Sequence, residues 1–356
     1  MPVTEQDLKV DRELAEIAGL LPLLSLITPI NVPEARKAFL AGEEPVFTYR
    51  DLPDLEEISD RLDKVDPTIA EDPTVSHLAV GLIKELRLRL ELLRHRNTEQ
   101  AFFVAVELFG HVEDKTLALA EQLLLRPPEQ DTPARTLNAA EFSVLAQDEI
   151  DHYREMYPGL GAKVLLTDSR PGIMVEAGDL YIGVPARIDI AIVPGLLAHE
   201  VGTHVLTFAN GRCQPLQMLS LGLASYDELQ EAMGVLAEHL TSGLSLSRLR
   251  MLASRVVVAH RRARGVPFRA VHAELMERGF RRREAFTTVM RAYRGGGNTK
   301  DAIYLRGLVR LLEQIRAGVD LSILYVGKIS FEAVPLIDDL TSRAILQPPP
   351  LRPMFL

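Results

Sequence analysis

The most constraining feature of this chain is a polar motif inside an apolar run: His199-Glu-Val-Gly-Thr-His204 lies within Ala191 to Phe208. A run this apolar belongs in a core, where two imidazoles and a carboxylate need a common partner to offset their burial. The familiar zinc signature spaces its histidines four residues apart, so that both leave one face of an α-helix. Here they stand five apart. At ~100° per residue this puts them roughly 140° apart on a regular α-helix, too far to share an ion. A π turn has a wider pitch and returns the fifth residue to nearly the same face. Gly202, between the histidines, eases that distortion and lets another backbone approach. The pattern predicts a helix with a π turn and two imidazole ligands, with Glu200 beside the first to take a proton from water held by the ion. Read without a metal, the same residues form a satisfied polar cluster.

A third donor follows. Ser225-Tyr-Asp-Glu228 has the form of a capping box, so a helix is expected to start near Tyr226. Glu231 falls in its first turns, and Glu238 comes seven residues later on the same face. Packed beside the motif, such a helix presents Glu231 to the ion and Glu238 to the back of a ligand histidine. Asp227 and Glu228 are rival donors, and a solvated face is the plain reading of Glu231 taken alone. Two histidines and one carboxylate leave a position for water, which marks a catalytic site.

Around this constellation the chain reads as mainly α with a small β-sheet, an α+β class. Residues 1–127 are predicted helical, with one helix from Thr74 to Leu93, where Leu78, Leu82, Leu86 and Leu90 form a stripe, and another from Gln100 to about Leu125. Pro127 to Pro133 cannot continue a helix and reads as a linker. Val164 to Thr167 reads as a strand, and Ile173 to Glu176 and Asp179 to Ile182 flank Ala177-Gly178 as a hairpin. From Ile190 the pattern is helical again, and the proline-rich tail is expected to be extended or partly disordered.

The net charge of -9 argues against a nucleic-acid partner. The single cysteine, Cys213, excludes an internal disulfide and a cysteine-based zinc knuckle. Glu5, Asp7, Asp11 and Glu13 stand where a secretory signal needs positive charge. The apolar stretch Ile17 to Val32 is interrupted by prolines and falls short of the roughly 20 residues that span a bilayer. A cytoplasmic protein without a membrane partner is expected.

Three separated segments occur in an order that resembles a known family: HEVGTHVLTFANG (199–211), QPLQMLSLGLASYDELQEAMGVLAEHL (214–240) and RGGGNTKDAIYLRGL (294–308). They are similar to the bacterial proteins named for a QEGLA motif and labelled flavohemoglobin-expression modulators, relatives of the microtubule-associated tyrosine carboxypeptidase that removes the C-terminal tyrosine of α-tubulin. The resemblance spans residues 140–340. It implies a gluzincin-like metallopeptidase core with Zn2+ on His199, His204 and Glu231, Glu200 as base, and a peptide or protein C-terminal tail as partner. The expected organisation is an N-terminal helical region (1–133), a zinc metallopeptidase domain (134–345) and a proline-rich tail (346–356). One departure is visible: where the family has Gln-Glu-Gly-Leu-Ala, this chain has Gln230-Glu231-Ala232-Met233-Gly234. A non-catalytic metal-binding regulator, and an aminopeptidase or dipeptidase with the same zinc site, are the alternatives.

A carboxypeptidase must recognise a chain end, which calls for a cation with hydrogen-bond donors beyond the metal. Arg294, Lys300 and Arg306 are the candidates in the third segment, with the solvated side chains usual at helix starts as the plain alternative. Lys300 and Tyr304 share a face of a helix capped near Asn298 or Thr299, and Tyr304 is a candidate donor to the oxyanion. Asp179 to Gly183 is placed to offer a sheet edge to an extended substrate, or to be an ordinary hairpin strand. From Arg248 to Arg294 there are thirteen arginines and three acids, a net of 13 − 3 = +10. That field suits an acidic tail, unless the arginines pair with acidic helices elsewhere, notably Asp51 to Asp66.

Overall fold

Leucines at every fourth position from Leu78 to Leu90 bury one stripe of a helix that spans Pro73–Arg94. Asp72 caps it, accepting from the N–H groups of Thr74 and Val75. The computed structural model describes residues 3–128, 135–168 and 172–356. Helices dominate it, and the strands form two small sheets, in agreement with the α+β reading. The helix expected from Gln100 to Leu125 is instead two, Glu99–Phe109 and Asp114–Leu125. Gly110 separates them with φ of 80°, and the Arg306 guanidinium fills the space that a Cβ there would need. The Pro127 to Pro133 linker lies mostly outside the described residues.

The strands are β1 (Thr136–Asn138), β2 (Val164–Thr167), β3 (Ile173–Glu176), β4 (Asp179–Gly183) and β5 (Arg187–Asp189). β1 and β5 pair antiparallel, and the other sheet has the order β2-β4-β3. The hairpin forms as expected, with φ of 50° at Ala177 and 86° at Gly178, the positive pair that a two-residue turn demands. Of the two readings of Asp179 to Gly183, a free sheet edge and an ordinary hairpin strand, the second holds. β2 pairs in parallel along one side of β4 and β3 antiparallel along the other, so β4 is central.

After the sheet, a continuous helix runs from Ile190 to Arg212, long and apolar enough to cross a membrane but mostly buried inside the fold. Its Val201, Val205 and Leu206 pack with Phe142, Tyr153, Leu180 and Ile182, joining it to the sheet. A larger core combines Leu14, Leu82 and Leu86 with Leu229 and Val235 of helix Tyr226–Ser242, Val256 of helix Leu246–Ala263 and Leu308 of helix Ile303–Arg316. Phe39, Phe268 and Phe286 centre a third cluster. The tail is extended but docked, which corrects the expectation of disorder. Leu351 is buried and exchanges two hydrogen bonds with the Asn210 side chain, and the Phe355 ring lies where a Cβ on Gly202 would stand.

Helices Tyr226–Ser242 and Ile303–Arg316 cross at Gly307, where a Cβ would lie 2.7 Å from the Glu228 carbonyl oxygen and 3.2 Å from the Ala232 Cβ. Helix propensity alone gives Gly307→Ala a gain of about 1 kcal/mol. A backbone oxygen cannot rotate away, so the overlap should win, with a net loss of about 1–3 kcal/mol in urea unfolding. Increased stability would mean that the two helices can separate freely.

Candidate active site

The five-residue spacing predicts a π turn, and the helix has one. Val193–His199 is α-helical, Glu200–Val205 is a π-helix and Leu206–Arg212 is α-helical again. The Thr203 hydroxyl donates to the Ala198 carbonyl five residues back, in step with the wider turn. The His199 and His204 rings consequently face one another, with centroids 4.9 Å apart. Their Nε2 atoms lie 3.7 and 3.8 Å from one oxygen of Glu231.

These three donors lie within 4.8 Å of one another and form a group able to hold a metal ion. Zinc bonds of about 2.0–2.1 Å at tetrahedral angles place donors roughly 3.4 Å apart, so a small closure completes the set. The backs of both rings are occupied. His199 Nδ1 meets Glu238 at 2.7 Å, and Arg248 clamps both Glu238 oxygens at 2.6 Å. His204 Nδ1 faces the side-chain amide oxygen (Oε1) of Gln230 at 3.5 Å, which also accepts from the Thr207 hydroxyl at 2.8 Å. A proton held at each Nδ1 leaves each Nε2 lone pair directed inward, the arrangement of a ligand histidine.

The permuted QEGLA residues have a packing explanation. Ala232 meets Gly307, and Gly234 lies under His199, where a Cβ would be 2.6 Å from the imidazole. Small residues are needed at both places, and the chain has them. The expected capping box does not form. Ser225 has φ of 61° and caps with no side-chain bond, and its N–H donates to Glu85, which pairs with the buried Arg89. Glu228 is instead held by Arg306 through two bonds of 2.8 Å.

Glu200 is buried beside His199, and its carboxyl has no hydrogen bond or ion pair among the described residues. Burial pushes it up to about 7, against the pull of His199. Burial also opposes the charge on Glu238, but its bonds to His199 and Arg248 win and hold it at about 2. The same contest keeps Glu231 far below the usual range, with Lys300 and the histidines outweighing burial.

Lys300 lies in a short 3-10 turn, Lys300–Ala302, and Tyr304 lies in the first turn of the helix Ile303–Arg316 that follows. The Lys300 ammonium meets Asp227 at 2.7 Å and Glu231 at 3.5 Å. Tyr304 is held protonated, up at about 12, by burial and the charge of Glu231. Arg294 is 3% exposed and donates to the Thr28 hydroxyl at 2.9 Å. Arg306 borders a cavity of about 560 Å³ shared with Glu107, Glu113 and Glu313. Six of the thirteen arginines in the arginine-rich segment are neutralised by ion pairs. Arg248, Arg261, Arg262, Arg269, Arg278 and Arg291 pair with Glu238, Glu274, Glu99, Glu44, Glu121 and Asp301, carboxylates outside the Asp51 to Asp66 segment.

The sequence reading missed Gln230, Thr207 and Arg248, which act on the histidines from behind. Gln230 has a local signal, since it adjoins Glu231. Arg248 has none, because a loop separates its helix from that of Glu238.

A family model described as microtubule-associated tyrosine carboxypeptidase matches residues 37–356, a span that includes every residue of this site. No curated protein matches the chain.

Zinc titration tests the donor set. His204→Ala and Glu231→Gln should each weaken zinc at least about tenfold, and Glu238→Gln roughly 10- to 100-fold. Glu228→Gln should leave affinity unchanged, because its partner is Arg306. An emptied site in Glu228→Gln with a full one in Glu231→Gln would reassign the third ligand.

Proposed function

Because the chain belongs to the microtubule-associated tyrosine carboxypeptidase family, and so to a family of carboxypeptidase-type hydrolases, we propose that it is a zinc carboxypeptidase that removes single residues from the free C-terminus of a peptide or protein tail. The observation that carries the reading is the convergence of His199, His204 and Glu231 beside the unbonded carboxyl of Glu200. When bound there, zinc supplies a Lewis acid for the scissile carbonyl and makes water acidic enough to lose a proton near neutral pH.

The remaining roles belong to the chain. His199, His204 and Glu231 hold the ion. Glu238 with Arg248, and Gln230 with Thr207, fix the two rings so that neither can turn away. Glu200 accepts the proton of the attacking water and returns it to the leaving amine, a task suited to a carboxyl whose pKa is raised by burial. Tyr304 donates a hydrogen bond to the oxyanion, and burial keeps the phenol protonated for that purpose. The family's name supports a terminal tyrosine as the residue removed, and a tail of tubulin type supports an acidic, cytoplasmic substrate.

Matched peptides ending in a free acid or an amide separate this from an aminopeptidase or endopeptidase. The acid should be cut with kcat/KM roughly 30-fold or more above the amide, because an amide leaves a desolvated cation unpaired. Glu200→Gln should lose about 100- to 10,000-fold in rate while retaining zinc. Equal rates on acid and amide would end the carboxypeptidase reading, and undiminished hydrolysis by Glu200→Gln would remove its role as base.

A further inference from the structure

A chain-end recognition site needs a cation whose charge is not already spent. Lys300 is balanced by Asp227 and Glu231, and Arg306 by Glu228. Arg294 has unpartnered nitrogens, but it is almost fully buried and reaches toward Thr28. Arg255 differs from all three. Its guanidinium has no hydrogen bond or ion pair among the described residues, its Nη1 is buried without a partner, and the residue is mostly but not completely buried.

Its position is also specific. Arg255 stands seven residues after Arg248 on helix Leu246–Ala263, on the same face, and Arg248 holds Glu238 behind His199. The guanidinium carbon of Arg255 lies 4.6 Å from the centroid of the Tyr304 ring. Tyr304 in turn feels the charge of Glu231. The nearby carboxylate of Asp301 is taken by Arg291 through two bonds. Burial and the adjacent Arg291 pull the Arg255 pKa down to about 10, which leaves it charged at neutral pH and short of an anion.

We propose that Arg255, lying over the Tyr304 ring, receives the terminal carboxylate of the peptide substrate. The Tyr304 ring holds the guanidinium on one side, and a planar fork of N–H groups with no anion matches the two oxygens of a carboxylate. The assignment rests on the carboxypeptidase reading. Lys328 is the rival: its ammonium lies over the Phe208 and Tyr226 rings at 5.4 and 5.8 Å, with no anionic partner among the described residues.

The test is binding without turnover. Calorimetry on zinc-loaded Glu200→Gln protein would compare a short peptide ending in tyrosine as free acid and as amide. The acid should bind roughly 10- to 100-fold more tightly. Adding Arg255→Gln should remove most of that preference by weakening the acid alone. Adding Arg255→Lys should keep only part of it, and this variant carries the test if the glutamine variant fails to fold. Lys328→Met should keep the preference whole. A preference that survives both Arg255 substitutions, or an equal loss for acid and amide, overturns the assignment. Loss of the preference in Lys328→Met with Arg255→Gln unaffected transfers the role to Lys328. No preference before Arg255 is changed would sink the carboxypeptidase reading itself, so the two failures are distinguishable.

Discussion

Two imidazoles five residues apart meet only because the backbone between them abandons the α-helix for one turn. The π segment Glu200–Val205 brings the rings to 4.9 Å, and the packing on either side is organised to tolerate it. A π turn gives up the compact 13-atom hydrogen-bonded ring of the α-helix, and such turns are kept mostly where function requires them. Here the return is a pair of Nε2 atoms aimed at one carboxylate oxygen. Val201 and Val205 anchor the distorted stretch in the sheet-side core, and the Phe355 ring covers it at Gly202.

The site also depends on how buried charges are shared. Glu231 is flanked by Lys300 and two histidines, Glu238 by Arg248, and Asp301 by Arg291. A buried ion without a partner costs several kcal/mol, so these pairings hold the three carboxylates in their charged forms. Glu85, from the Pro73–Arg94 helix, binds the backbone of Ser225 at the entry to the ligand helix, and Arg306 grips Glu228 one turn later. Distant helices therefore set the height of Glu231 relative to the motif.

Local pattern made much of this legible. The α+β class, the hairpin at Ala177-Gly178 and the π turn that brings His199 and His204 together follow from spacing and turn chemistry within a few residues, whereas the choice of Glu231 over Asp227 and Glu228 came from the family resemblance. What was not legible depends on contacts between distant segments. Gly110 breaks a helix because Arg306, far along the chain, needs the space. The Ser225 to Glu228 capping pattern is real as a sequence but loses to two ion pairs, Glu85 with Arg89 and Glu228 with Arg306. β4 became a central strand because β2 found its open side, a parallel pairing that leaves no signal in either strand. Arg255 and Lys328 stand outside any motif, and only the lack of an anionic partner among the described residues distinguishes them from other cations.

The five-residue spacing is locked from downstream as well as by the ligands. Deleting one residue between the histidines would restore the familiar four-residue register and a regular helix. It would also turn everything after the deletion through about 100° and draw it back about 1.5 Å. Asn210 would then leave the carbonyls of Tyr325 and Leu351, and Thr207 would leave Gln230. The two histidine spacings are therefore not neighbours separated by one harmless deletion. Passing from one to the other means rebuilding the C-terminal clamp and the His204 support together.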